Sequence, residues 1–147
     1  MNTELENYLQ DGANYKARAI MCILQGRIGE IKDADGLGHS KDVMIYIGRF
    51  ENCREQGYVF TLFCEYKFIK NYAVYEHRNS DNICVLVNDR FTINTPDADA
   101  MFGDRGKYDV DARFQYDEIM EASNYIVDAM IKDIQNYYEE KEAKNEE

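Results

Sequence analysis

Only a few places in this chain gather residues that could bind or transform a ligand, and spacing tests each of them. Asp33, Asp35 and Asp42 surround Gly36, which suggests a calcium loop. With Gly36 in the glycine position of such a loop, the first ligand position falls on Ile31, which carries no side-chain oxygen. The closing position holds Asp42 in place of a bidentate glutamate, and a strand pattern follows instead of a helix. These residues therefore read as a polar helix-to-strand loop. Gly36-Leu-Gly-His-Ser-Lys41 lacks the glycine-to-lysine spacing of a phosphate loop and precedes a strand rather than opening a helix. Gly103-Asp-Arg-Gly-Lys107 is better placed, because a long helical pattern follows it and a helix N-terminus carries partial positive charge. Arg105 and Lys107, with Arg113 one turn into that helix, are the candidate residues for a small anionic ligand. Turn glycines flanked by solvated charges are the plainer account of the same residues.

Catalytic chemistry finds little to build on. His39 lies in a loop and His77 ends a strand beside Glu76 and Arg78; neither stands in a catalytic signature with a serine or cysteine. The four cysteines contain no C-x-x-C pair, and no cluster of His, Cys and carboxylates has zinc spacing. No catalytic residue, metal or cofactor is assigned. Cys22, Cys64 and Cys84 fall in apolar patterns and read as core residues, whereas Cys53 lies in a polar turn and reads as the exposed thiol.

Carboxylates are the most abundant functional group. Asp117, Glu121 and Asp128, with Glu139 beyond them, fall on one side of the C-terminal helical pattern, opposite its apolar stripe. They are the candidate contacts for a basic partner. Lys132 interrupts the row, so an ordinary solvated helix face is the competing account.

Periodicity supplies the elements that must position these groups. Thr3 to Gln10 reads as a short helix ended by Asp11-Gly12. Ala13, Ala17, Ile20, Met21, Leu24, Ile28 and Ile31 recur at spacings of three and four, the mark of an amphipathic helix. Residues 43–50 alternate as a strand, and a second strand runs from Tyr58 to about Ile69, with a tight turn expected at Lys70-Asn71 because asparagine tolerates positive φ. Tyr72 to His77 and Ile83 to Asn88 follow as strands, and Arg90 to Asn94 as a short fifth. Short turns between consecutive strands imply an antiparallel meander. Its strands are apolar on both faces, so both faces need cover. A long helix is expected to begin near Asp109 or Asp111 and to carry the stripe from Tyr116 and Met120 to Ile134 and Tyr137. Residues 139–147 read as a fraying acidic tail. The fold class is α+β: N-terminal helices, a four- to five-stranded antiparallel meander and a long C-terminal amphipathic helix, in a single domain over 1–147.

Composition bounds the function. The chain has 147 residues, 28 acidic and 17 basic, for a formal charge of −11. Thirteen acids and six bases lie in 101–147, so the last third carries most of the excess. Such acidity opposes direct nucleic-acid binding or attachment to an anionic membrane. The longest apolar run, Ala19 to Leu24, is far below the roughly 20 residues of a bilayer span, and the start lacks a secretory pattern. A cytoplasmic location with reduced thiols is expected. The sequence-based expectation is a non-catalytic acidic protein that regulates or inhibits a basic protein partner, a class that includes nucleic-acid-binding proteins. Phage and mobile-element anti-defence factors offer an analogy. A binder of a nucleotide-like anion and an enzyme of unrecognised type are the alternatives, and self-association as a two-fold homodimer is expected to bury leftover apolar surface.

Overall fold

Alternating apolar residues over 43–88 build an antiparallel sheet in the computed structural model, which describes residues 15–34, 38, 40–51, 55–77, 83–88 and 112–146. In chain order the elements are α1 (Tyr15–Gly26), α2 (Ile28–Lys32), a 3-10 turn (Ser40–Asp42), β1 (Val43–Glu51), β2 (Glu55–Cys64), β3 (Lys67–His77), β4 (Ile83–Asn88), β5 (Ala112–Phe114) and α3 (Ile119–Glu146). The strands lie in the order β1-β2-β3-β4-β5 with every neighbouring pair antiparallel. The α+β meander is thus the fold. The expected helix at Thr3 to Gln10 and the expected strand at Arg90 to Asn94 lie outside the described residues.

Register aligns the apolar residues across the sheet. Ile45 faces Leu62, Ile47 faces Phe60, Phe60 faces Tyr72, Val74 faces Val85, and Ile83 faces Phe114. This face forms one core with Ala17, Ile20 and Leu24 of α1, Ile31 of α2, and Ala122, Ile126, Val127, Met130, Ile134 and Tyr138 of α3. Burying that stripe is what holds the helices, since an isolated helix gains little from propensity alone. Ser123, the polar interruption of the stripe, is buried with its hydroxyl donating to the Ile119 carbonyl at 2.8 Å. On the opposite face Val59, Ala73, Tyr75, Cys84 and Leu86 make a second cluster, already buried within one chain.

Several sequence-based expectations are corrected. The helix drawn from Ala13 to Ile31 is two helices, broken at Arg27 after Gly26, a weak helix former. Cys22 is exposed rather than in the core, because it lies off the Ala17–Ile20–Leu24 line, while Cys64 and Cys84 are buried as expected. Cys53 lies outside the described residues.

The second strand ends at Cys64, not near Ile69, and the turn is Glu65-Tyr66 rather than Lys70-Asn71. Both turn residues have positive φ, 51° and 65°, in a two-residue hairpin whose twist matches the sheet. Past the turn Phe63 pairs with Phe68 but Leu62 pairs with Lys70, so Ile69 is the extra residue of a bulge. The bulge turns Lys70 toward α3. There Lys70 Nζ donates to Asp133 Oδ1 at 3.0 Å and the buried Tyr72 hydroxyl donates to Asp133 Oδ2 at 2.5 Å.

The long helix starts at Ile119, not near Asp109 or Asp111, because Ala112–Phe114 instead pair with β4 as β5. Ala112 and Phe114 pack against the core while Arg113 is exposed, an alternation that fits a strand and satisfies the β4 backbone. At the other end the expected fraying tail is helical to Glu146.

Gly57 of β2 faces Tyr75 of β3, and a methyl added there would fall inside contact distance of the Val74 carbonyl oxygen and 2.7 Å from Tyr75 Cα. Gly57→Ala is therefore expected to cost about 3 kcal/mol or more through overpacking. Urea unfolding measures this, and an unchanged midpoint would contradict the close approach.

Candidate functional site

Arg-Phe-Gln-Tyr-Asp-Glu, residues 113–118, carries the chain from the end of β5 into α3 through a single tight turn. The Glu118 carboxylate accepts the Gln115 backbone N–H at 2.9 Å, and the Glu118 carbonyl accepts the first helical N–H, from Ala122, at 3.0 Å. This turn and the first two turns of the helix present a surface of mixed character. Tyr116 is 57 % exposed, Met120 53 % and Tyr125 38 %, and these are three of the five large exposed hydrophobic residues among the described residues. Interleaved with them are the exposed carboxylates of Asp117 and Glu121, with Asp128 two turns on. The three sequence-predicted acidic residues thus do share one end of the molecule, although Asp117 sits in the turn before the helix.

The aromatic groups are held in place from beneath. Lys16 Nζ lies 5.5 Å from the centroid of the Tyr116 ring, a cation–π distance. The Tyr125 ring meets Phe114 of β5 edge-on, centroid to centroid 5.8 Å. Arg27, at the break between α1 and α2, donates to Asn124 Oδ1 at 2.8 Å and to both carboxylate oxygens of Glu30. Glu30, and to a lesser degree Asp128, hold the Arg27 guanidinium in its charged form. Asp128 is in this way partly offset, whereas Asp117 and Glu121 make no ion pair among the described residues. The acidic face therefore has its least compensated charge at the exposed Tyr116–Met120 end.

Beneath this surface is a group the sequence did not single out as functional. Glu76, near the end of β3, is buried, accepts the Ala17 backbone N–H at 3.0 Å and lies 3.8 Å from Lys16. It caps the first turn of α1 from another element, and through Lys16 it adjoins Tyr116. Burial pushes its carboxyl up to about 7, against the opposing pull of the Ala17 N–H and Lys16.

The other candidate residues are not brought to a common site. Arg113 is on β5, paired with Cys84, and not in the helix; Arg105 and Lys107 lie outside the described residues. His39, Asp35 and Gly36 lie outside them as well, and Asp33 is exposed in the turn after α2. Among the described residues no group of three His, Cys, Asp or Glu is arranged to hold a metal ion, and no helix is long and apolar enough to cross a membrane. Neither a protein-family model, nor a curated protein, nor a solved structure matches the chain.

Glu76 makes stability depend on pH. Its native value lies above the roughly 4.3 of an unfolded glutamate, so the folded chain holds a proton that the unfolded chain has released between the two values. Stability is expected to fall as pH rises through that window, by up to about 4 kcal/mol. Glu76→Gln keeps an acceptor for Ala17 and removes the charge, so urea midpoints taken from about pH 5 to about pH 8 should lose that slope. An equal slope in the variant would assign the effect elsewhere.

Proposed function

We propose that this protein is a non-catalytic binding protein that regulates or inhibits a basic protein partner, docking it on the N-terminal end of α3. The observation that supports this reading is the gathering of Tyr116, Met120 and Tyr125 among Asp117, Glu121 and Asp128. Protein interfaces concentrate energy in a few aromatic and methionine anchors within a polar rim. Here the anchors are braced by Lys16 and Phe114, which lowers the ordering cost of binding. The uncompensated carboxylates add long-range attraction for a cationic surface, which raises the association rate and selects partner sign. The two-fold dimer belongs to the same class of proposal. The surface it would bury is the far-face end of the sheet, where Tyr46, Phe63 and Phe68 pack edge to face and Tyr46 is half exposed.

Immobilised wild-type chain and a D117K/E121K/D128K variant, each challenged with the same host lysate at low and high salt, test the proposal. A basic protein should be retained by the wild type at low salt, released at high salt, and lost from the variant. Met120→Ala should weaken the same partner about ten-fold without altering the fold. Equal retention by the charge-reversed variant, or no basic protein retained by the wild type, would overturn the proposal.

A further inference from the structure

We propose that the cleft between the β2–β3 turn and the C-terminal turns of α3 binds a phosphate group, either free or carried on a small molecule. This goes beyond the partner surface and is independent of it. Met120 and Lys141 are separated along the helix by about 30 Å at 1.5 Å per residue.

The cleft has a volume of about 250 Å³ and is lined by Glu65, Lys67, Tyr137, Glu140, Lys141 and Lys144. That volume is below the roughly 300–1,000 Å³ of pockets for drug-sized ligands, so it suits a phosphate or a small phosphate ester. Its charges are not equivalent. Lys141 Nζ donates to both oxygens of Glu65, at 2.7 and 2.6 Å, and the Tyr137 hydroxyl donates to the same carboxylate at 3.0 Å. Lys141 above all, and then Tyr137, hold the Glu65 carboxyl below the usual carboxylate range. Glu65 and Lys141 thereby satisfy each other. Lys67 and Lys144, both exposed, make no ion pair among the described residues; Lys67 also acts at longer range on the Glu65 carboxylate, and the lining as a whole holds three lysines against two glutamates. The lining thus carries one more cation than anion, in a chain of charge −11 and beside the exposed Glu139 and Glu142 of the same helix.

A competing account is that Lys141 and Lys144 simply offset the partial negative charge of the helix C-terminus. That role requires neither a cleft nor a lysine on the opposite wall, yet Lys67 comes from the hairpin. The wall itself is held under constraint: Glu65 and Tyr66 both sit at positive φ without glycine or asparagine, a conformation that costs roughly 1–2 kcal/mol per residue. Tyr66, 87 % exposed, stands on the same turn between Glu65 and Lys67 and is not itself part of the lining.

Equilibrium titration of the full chain with pyrophosphate, adenosine monophosphate and uncharged adenosine tests the proposal. Saturable binding of the phosphate-bearing probes and none of adenosine is expected. Lys67→Gln with Lys144→Gln, two exposed positions whose replacement leaves the core untouched, should weaken binding at least about ten-fold. Lys132→Gln, elsewhere on the same helix, should have no effect. Tighter binding of the monophosphate than of pyrophosphate would identify a nucleotide-type ligand; equal affinities would identify the phosphate alone. Absence of saturable binding, or equal affinity in the double lysine variant, would overturn the proposal.

Discussion

Asp133 fixes how α3 lies on the sheet, and most of what the molecule presents follows from that one carboxylate. One of its oxygens accepts a hydrogen bond from the hydroxyl of a buried tyrosine on β3 and the other from a lysine of the same strand. A carboxylate at the edge of an apolar core is costly unless both oxygens are bonded. The rotation of the helix that meets this condition also buries Ile126, Met130 and Ile134. With that rotation set, Glu121 and Asp128 face outward and Lys141 reaches the β2–β3 turn.

The bulge at Ile69 is the covert part of this arrangement. Without the extra residue, Ile69 would stand opposite Leu62 and Lys70 would face away from Asp133. Hydrophobic alternation cannot reveal a bulge, because it records which residues are apolar and not which strand gains a residue. The same blind spot moved the expected turn. Lys70-Asn71 has the better turn chemistry, but with the turn at Glu65-Tyr66, Asn71 is buried in β3 beside Thr61, and Tyr72 and Val74 stand opposite Phe60 and Tyr58 in the core. Local preference was overruled by tertiary packing.

Other features were legible. The apolar stripe of α3, the strands β1 and β4 and the burial of Cys64 and Cys84 follow from period and residue type. Cys22, by contrast, was assigned to the core on residue type although it lies off that stripe, and it is exposed. The acidic row was visible as helical spacing, but its value depends on Tyr116 and Met120, which the same spacing assigned to the buried stripe. They are exposed because the chain up to Phe114 is a strand, so the helix begins late and its first turn overhangs the core. Glu121 in the first turn of α3 and Lys144 in its last suit the helix dipole, although Glu139, Glu140 and Glu142 near the same end oppose it.

The Glu65–Lys141 contact has a kinetic consequence. A terminal helical turn ordinarily opens on its own, and so does a hairpin tip, each at little free-energy cost. Here each holds the other: Lys141 anchors the carboxylate of a turn whose φ values are unfavourable, and that carboxylate anchors the last turns of the helix. Fraying of the chain end and loosening of the hairpin tip become one cooperative opening, so amide protons at Glu65–Lys67 and near Lys141 exchange on a shared timescale, though 76 residues separate them in sequence.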